Sequence, residues 1–265
     1  MKTISQLVEP SSLKQTVILK PESFDSYSKN YNELLNNSIR QTGYDSENLV
    51  ASKLYKLRSL FPSLSEKTFR LLDFGCGVGN LYGQVAEFFP TAIYTGVDPS
   101  KDSILKARSR YHGDANFQEN SCKEWETNEY DLIFSSGVFH HIPHIEHTAL
   151  IDKLSSLLNK GGRLVIWEHN PLNPVTQNIV RNCPFDEDAV LVPSKNLKNL
   201  FTQVSLSNIQ VIYTTFFPKF LSTLNFMDPY LGWLPLGGQY LVTGQKNEIS
   251  SDLESEKPSS IFFGL

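Results

Sequence analysis

Apolar positions recur at helical spacing through the first sixty residues. Phe24, Tyr27, Tyr31, Leu34, Leu35 and Ile39 are separated by 3, 4, 3, 1 and 4 positions, the rhythm of a helix with one apolar face. A second run, Leu49, Val50, Leu54, Leu57 and Leu60, begins at Ser46 and is stopped by Pro62. The pattern then changes to short apolar runs alternating with amphipathic stretches. Strands are expected at about 70–74, 92–97, 115–119, 130–134 and 163–167. The intervening helices carry Leu81, Val85, Phe88 and Phe89, then Ile104, Leu105 and Ala107 behind a Ser100 cap. A further helix carries Leu150, Ile151, Leu154, Leu157 and Leu158 and is expected to end at Gly161-Gly162. Short apolar strands alternating with helices imply a parallel sheet covered on both faces.

Past residue 167 the rhythm weakens. Residues 168–193 are rich in Pro and Asn, and a helix is expected from Ser194 with Leu197, Leu200, Phe201 and Val204. Strands near 208–217 and 238–244 flank an apolar segment, 218–237, whose only charges are Lys219 and Asp228. The pattern divides the chain into a polar lead-in (1–23), one domain (24–245) and an acidic tail (246–265). Within the domain, 24–62 form a helical cap and 218–237 an insertion. No internal repeat is present.

Composition narrows the functional classes. The 265 residues are 40% hydrophobic and 20% charged, with net charge −4, as in an ordinary globular domain. That balance excludes the broadly basic face of a nonspecific nucleic-acid binder, so no nucleic-acid partner is expected. Cys76, Cys122 and Cys183 are odd in number, widely spaced and without metal spacing, which suits a reducing compartment. Met1–Gln6 have no long apolar core, and no apolar run approaches a membrane span, so a cytoplasmic location is expected.

The sharpest local signal is Arg70–Asn80, where an apolar run reaches Asp73 and glycines follow at 75, 77 and 79. Glycines here let a loop turn tightly and bring backbone close to a ligand. The dinucleotide fingerprint G-x-G-x-x-G would need glycine where Asn80 stands. The observed D-x-G-x-G-x-G resembles the first motif of the class I S-adenosylmethionine (SAM)-dependent methyltransferases. The resemblance implies a Rossmann-like α/β fold, a seven-stranded mostly parallel sheet with the last strand antiparallel. It also implies that Asp73, Gly75, Cys76, Gly77 and Gly79 bind SAM and release S-adenosylhomocysteine (SAH).

Ligands of open α/β sheets bind beyond the carboxyl ends of the strands. Asp98, twenty-five residues past Asp73, ends the second strand and, with Pro99, is the expected ribose site; a carboxylate can accept two hydroxyls. After the third strand, Ser121 and Cys122 stand where the family usually holds an acidic residue near the adenine. The run from Ser135 through Phe139, His140, His141 and His144 looks like the fourth motif of small-molecule, ubiquinone-biosynthesis-type methyltransferases. Ser135 is expected at the cofactor, and His141 matches a recurrent histidine of that family. His140, His144 and His147 could share a helical face as zinc ligands, but Pro143 breaks the helix, so no metal is expected.

Glu168-His169 ends the fifth strand. Neighbours on a strand face opposite ways, so at most one of the two is expected to enter the cleft. His141 and His169 are therefore the candidate bases. The acidic Asn182–Asp188 stretch is expected as a solvated loop near the same edge.

These signals predict methyl transfer from SAM to a small-molecule acceptor of apolar or lipid-like character. The apolar 218–237 segment can wall a pocket, dock on a membrane surface, bury in a homodimer or pack on its own core. A non-catalytic SAM-binding or interaction protein and a nicotinamide oxidoreductase share the fold as alternatives.

Overall fold

The computed structural model describes residue 25, residues 30–113 and residues 115–247. The expectations for the lead-in, for Phe24 and Tyr27, and for the tail from 248 onward lie outside the described residues. Seven strands form one sheet: β1 (Phe69–Phe74), β2 (Ala92–Asp98), β3 (Asn116–Glu119), β4 (Tyr130–Ser136), β5 (Leu158–His169), β6 (Ser207–Thr214) and β7 (Gln239–Gln245). Their spatial order is β3-β2-β1-β4-β5-β7-β6, with β7 antiparallel to β5 and β6 and the pairs from β3 to β5 parallel.

Alternate residues of each strand feed opposite layers. Leu72, Phe74, Ile133, Leu164 and Ile166 pack under α5 (His147–Ser156) and α7 (Ser194–Gln203). Leu71, Leu132, Phe134 and Val165 pack under α2 (Ser46–Leu60), α3 (Tyr82–Phe88) and α4 (Lys101–Tyr111). Burial on both faces explains the near-continuous apolar runs of the central strands. Ser100 caps α4 by accepting from Ser103 N (3.1 Å), and Asp45 caps α2 by accepting from Asn48 N (2.7 Å). The first cap helix, α1 (Tyr31–Ile39), precedes α2.

Two elements differ from the sequence expectation. Gly161-Gly162 do not end a helix. α5 stops at Ser156, and the glycines sit inside β5, where the pairing to β4 jumps from Leu158 to Arg163 and Gly161 adopts φ 74°. A left-handed residue lets the strand bulge without a Cβ penalty. Residues 168–193 are also not all loop, because α6 (Pro174–Arg181) lies within them. Asn173 accepts from Thr176 N (3.0 Å), and Pro174 occupies the first turn, where its missing N–H costs nothing. Asn173→Ala is expected to cost about 1 kcal/mol, or about 2–4 °C in Tm, measured by thermal melting.

The 218–237 segment folds as a 3₁₀ stretch (Lys219–Met227) and α8 (Asp228–Leu231) against β6. Phe220 and Trp233 remain 81% and 74% exposed. No described helix is long and apolar enough to cross a membrane.

Candidate active site

The carboxyl ends of β1, β2, β4 and β5 open onto one cavity of about 210 Å³. Gly75, Cys76 and Gly77 from the loop after β1 line it, with Asp73, Asp98 and Pro99. Gly75 N and Cys76 N donate to Val97 O (2.8 and 3.0 Å), which folds the loop back over β2. Gly75 takes φ +83°, and a Cβ there would stand 2.2 Å from Val138 Cγ2. Gly77 takes φ +52°, and a Cβ there would meet nothing within 4 Å. The first glycine is thus required by close packing, the second by backbone conformation beside open space.

Asp98 is buried at this edge. Its Oδ2 accepts from Gly77 N (2.8 Å) and its Oδ1 from Ser100 N (2.9 Å). Two amides use about two of a carboxylate's four acceptor positions, leaving two for a ligand. Burial pushes the Asp98 carboxyl up to about 6, against the pull of these amides. Asp73 accepts from Tyr94 Oη (2.5 Å), and burial pushes it up to about 7.

The opposite wall holds imidazoles and carboxylates. His140, His141, His169 and Asp186 line the cavity beside Tyr31 and Phe185, whose rings stack at 5.2 Å. Glu168, 1% exposed, points away from His169 as strand alternation requires. Its Oε1 accepts from Val138 N (3.0 Å) and Phe139 N (2.8 Å), and its Oε2 lies 2.6 Å from His140 Nδ1. These bonds tie the loop after β4 to the end of β5. Asp186 Oδ1 stands 3.4 Å from His140 Nε2 and 3.3 Å from His141 Nε2.

Charge partitions these groups. Burial disfavours a charged His140, but the Glu168 and Asp186 carboxylates outweigh it and raise His140 to about 10. Burial likewise works against ionised Glu168, and His140 reverses it, lowering Glu168 to about 2. Asp186 is held well below the usual carboxylate range, its two imidazole neighbours overcoming burial. His169 is pushed down to about 4 by burial and by the charge on His140, so it is neutral near pH 7. Lys53 donates to Ser136 Oγ (2.7 Å), and burial lowers it to about 8.

Asp73, Gly75, Cys76, Gly77, Asp98, Pro99, His141 and His169 line one cavity. Gly79, Ser121, Cys122 and Ser135 are not among its lining residues. Ser121 is exposed beyond β3, Ser135 is fully buried in β4, and a Cβ on Gly79 would press on Phe117 and Tyr111 at 3.0 Å. His147 bonds Phe139 O and Ile142 O (2.9 and 3.0 Å), a loop-stapling role that removes it from a zinc triad with His140 and His144. The expectation of a solvated Asn182–Asp188 loop is corrected: Asp186 is buried against two histidines. Residues 218–237 do not line the cavity.

Residues 72–164 match a methyltransferase domain family (Methyltransf_12). That match runs from within β1 into β5, the segment that carries the glycine loop and Asp98. Trans-aconitate 2-methyltransferase of Rhodopseudomonas palustris (strain BisA53) is 32% identical to this chain over 120 residues, 44% of its length. The chain spans less than half, 45%, of that curated relative's length. Among solved structures, a SAM-dependent methyltransferase from Archaeoglobus fulgidus matches with TM-score 0.61 at 18% identity, covering 82% of this chain and 100% of that one. A Haemonchus contortus phosphoethanolamine N-methyltransferase 2 solved with SAM matches with TM-score 0.60 at 16% identity, covering 89% and 61%. The cofactor of the methyltransferase fold suits the residues present. The open space beside Gly77 admits a ligand against bare backbone, and Asp98 keeps acceptor capacity at the cavity wall.

Proposed function

We propose that the protein transfers a methyl group from SAM to an oxygen of a small-molecule acceptor with an apolar body. The supporting observation is the two-sided cavity: a glycine loop with Asp98 on one wall, and His141 and His169 on the other. Bound SAM would supply an already activated sulfonium methyl. Asp98 would accept the ribose hydroxyls, and the Gly75–Gly77 backbone would lie against the amino-acid end.

This chain's residues then orient the acceptor and manage its proton. Leu35, Ile39, Val50, Ile179 and Phe185 give the cavity its apolar walls. Positioning of this kind is worth roughly 7–11 kcal/mol when reactants are well aligned. An acceptor hydroxyl must also lose a proton. His169 is neutral, buried and free of charge to accept it, and His141 is oriented by Asp186. Activity screens should therefore favour acceptors with an ionisable oxygen on an apolar frame. A screen in which only amines turn over contradicts the oxygen assignment.

The exposed aromatics of 218–237 are read as a contact surface for a membrane or a second copy of the chain. Gel filtration and liposome flotation test this. A monodisperse monomer that ignores liposomes contradicts both forms.

A further inference from the structure

His140, His141 and Asp186 make a second arrangement, in which His141 and Asp186 take a role other than the proton transfer considered above. One ligand atom from each lies within 4.8 Å of the others, and all three residues line the cavity. The three come from two separated loops, the 3₁₀ turn after β4 (Phe139–His141) and the 3₁₀ turn after α6 (Pro184–Asp186). This is not the His140, His144 and His147 set that Pro143 disrupts.

The distances are compatible with a ligand set. Charge-assisted N–H···O bonds are about 2.7–2.9 Å long, and His140 Nδ1 to Glu168 Oε2 is shorter still at 2.6 Å. The two contacts to Asp186 Oδ1 are longer, 3.3 and 3.4 Å. Ligand atoms about 2.0–2.2 Å from a tetrahedral cation stand about 3.3–3.6 Å apart. The Asp186 contacts have that length.

The surroundings fit as well. His140 gives its Nδ1 to Glu168, which fixes the ring and turns Nε2 toward Asp186 and His141. A histidine ligand ordinarily bonds a carboxylate through its second nitrogen in this way. Glu168 is itself held by two backbone amides, so the ring cannot drift. Two carboxylates, Glu168 and Asp186, converge on His140, and a dication would balance both. The remaining coordination positions would face the cavity, as in a site that keeps an exchangeable ligand.

We infer that His140 Nε2, His141 Nε2 and Asp186 Oδ1 form a binding site for a divalent transition-metal cation facing the acceptor end of the cavity. Two imidazoles and a carboxylate suit zinc and its first-row neighbours rather than calcium or magnesium. Such a cation would bind an acceptor oxygen and leave His169 as the imidazole that takes its proton. That last role rests on the methyl-transfer reading; the binding site does not.

The test is zinc titration of chelator-stripped, dialysed full-length protein by calorimetry, with SAH binding measured on the same samples. The expected result is one zinc per chain. His141→Ala and Asp186→Asn should weaken it at least 100-fold, and Glu168→Gln about 10–100-fold. SAH binding reports that each variant is folded, and His141→Gln serves if His141→Ala is not. Wild-type protein that binds SAH but not zinc overturns the metal site while leaving the methyltransferase reading intact. Zinc binding unchanged in both ligand variants overturns it equally.

Discussion

Gly75→Ala is expected to lose about 2–5 kcal/mol of stability and with it most cofactor affinity. The left-handed conformation at φ +83° costs a residue with a Cβ about 1–2 kcal/mol. The added methyl also collides with Val138 Cγ2 at 2.2 Å, and overpacking a rigid site costs about 1–3 kcal/mol. Val138 cannot retreat freely, because its amide is held by Glu168. Denaturant unfolding measures the loss. Gly77→Ala, where no neighbour lies within 4 Å, should cost only the conformational part. Equal stability of the Gly75 variant and the wild type would contradict this account of the loop.

The second large effect is on turnover. His169→Ala and His141→Ala should each retain SAH binding and slow methyl transfer to a hydroxyl acceptor. General-base catalysis is typically worth about 10²–10⁴-fold, which sets the expected loss for the base. His169 is the stronger candidate by burial and neutrality, and His141 by its contact with Asp186. Single-turnover rates at saturating SAM separate the chemical step from binding. Normal rates in both variants would remove the imidazoles from the reaction.

The two walls of the site were not equally legible in the sequence. The cofactor wall is local in sequence. Asp73 through Gly79 is a contiguous strand-to-loop signal, and Asp98 stands at the end of the next strand. Each depends on backbone geometry that glycine or a strand end announces directly. The opposite wall is assembled over long separations. Glu168 meets His140 across 28 positions, and nothing in the acidic Asn182–Asp188 stretch marks Asp186 as buried. Only packing of α6 and the turn after it brings that carboxylate inward.

Other boundaries failed for identifiable reasons. Gly161-Gly162 reads as a helix stop because glycine commonly follows a helix, but here it serves a bulge within β5. The helix at Pro174–Arg181 was signalled by Asn173-Pro174, a cap followed by a first-turn proline, inside a stretch whose composition suggests loop. Ser121 and Cys122 were placed at the cofactor by the family pattern. They stand outside the cavity lining. The 218–237 segment was legible as apolar, but its position against β6 depends on tertiary packing.

Asn80 also distinguishes cofactor classes. It replaces the third glycine of a dinucleotide site and lines the cavity, donating to Asn32 Oδ1 (2.7 Å). A nicotinamide enzyme would need that position bare for close helix packing.

The central claim is that the Gly75–Gly79 loop and Asp98 form a SAM site. Calorimetric titration of SAM and SAH into wild type and Asp98→Ala tests it most directly. The account predicts saturable binding of both by the wild type and at least tenfold weaker binding by the folded variant. A folded wild-type protein that binds neither SAM nor SAH, or an Asp98→Ala variant that binds them as tightly, would contradict it.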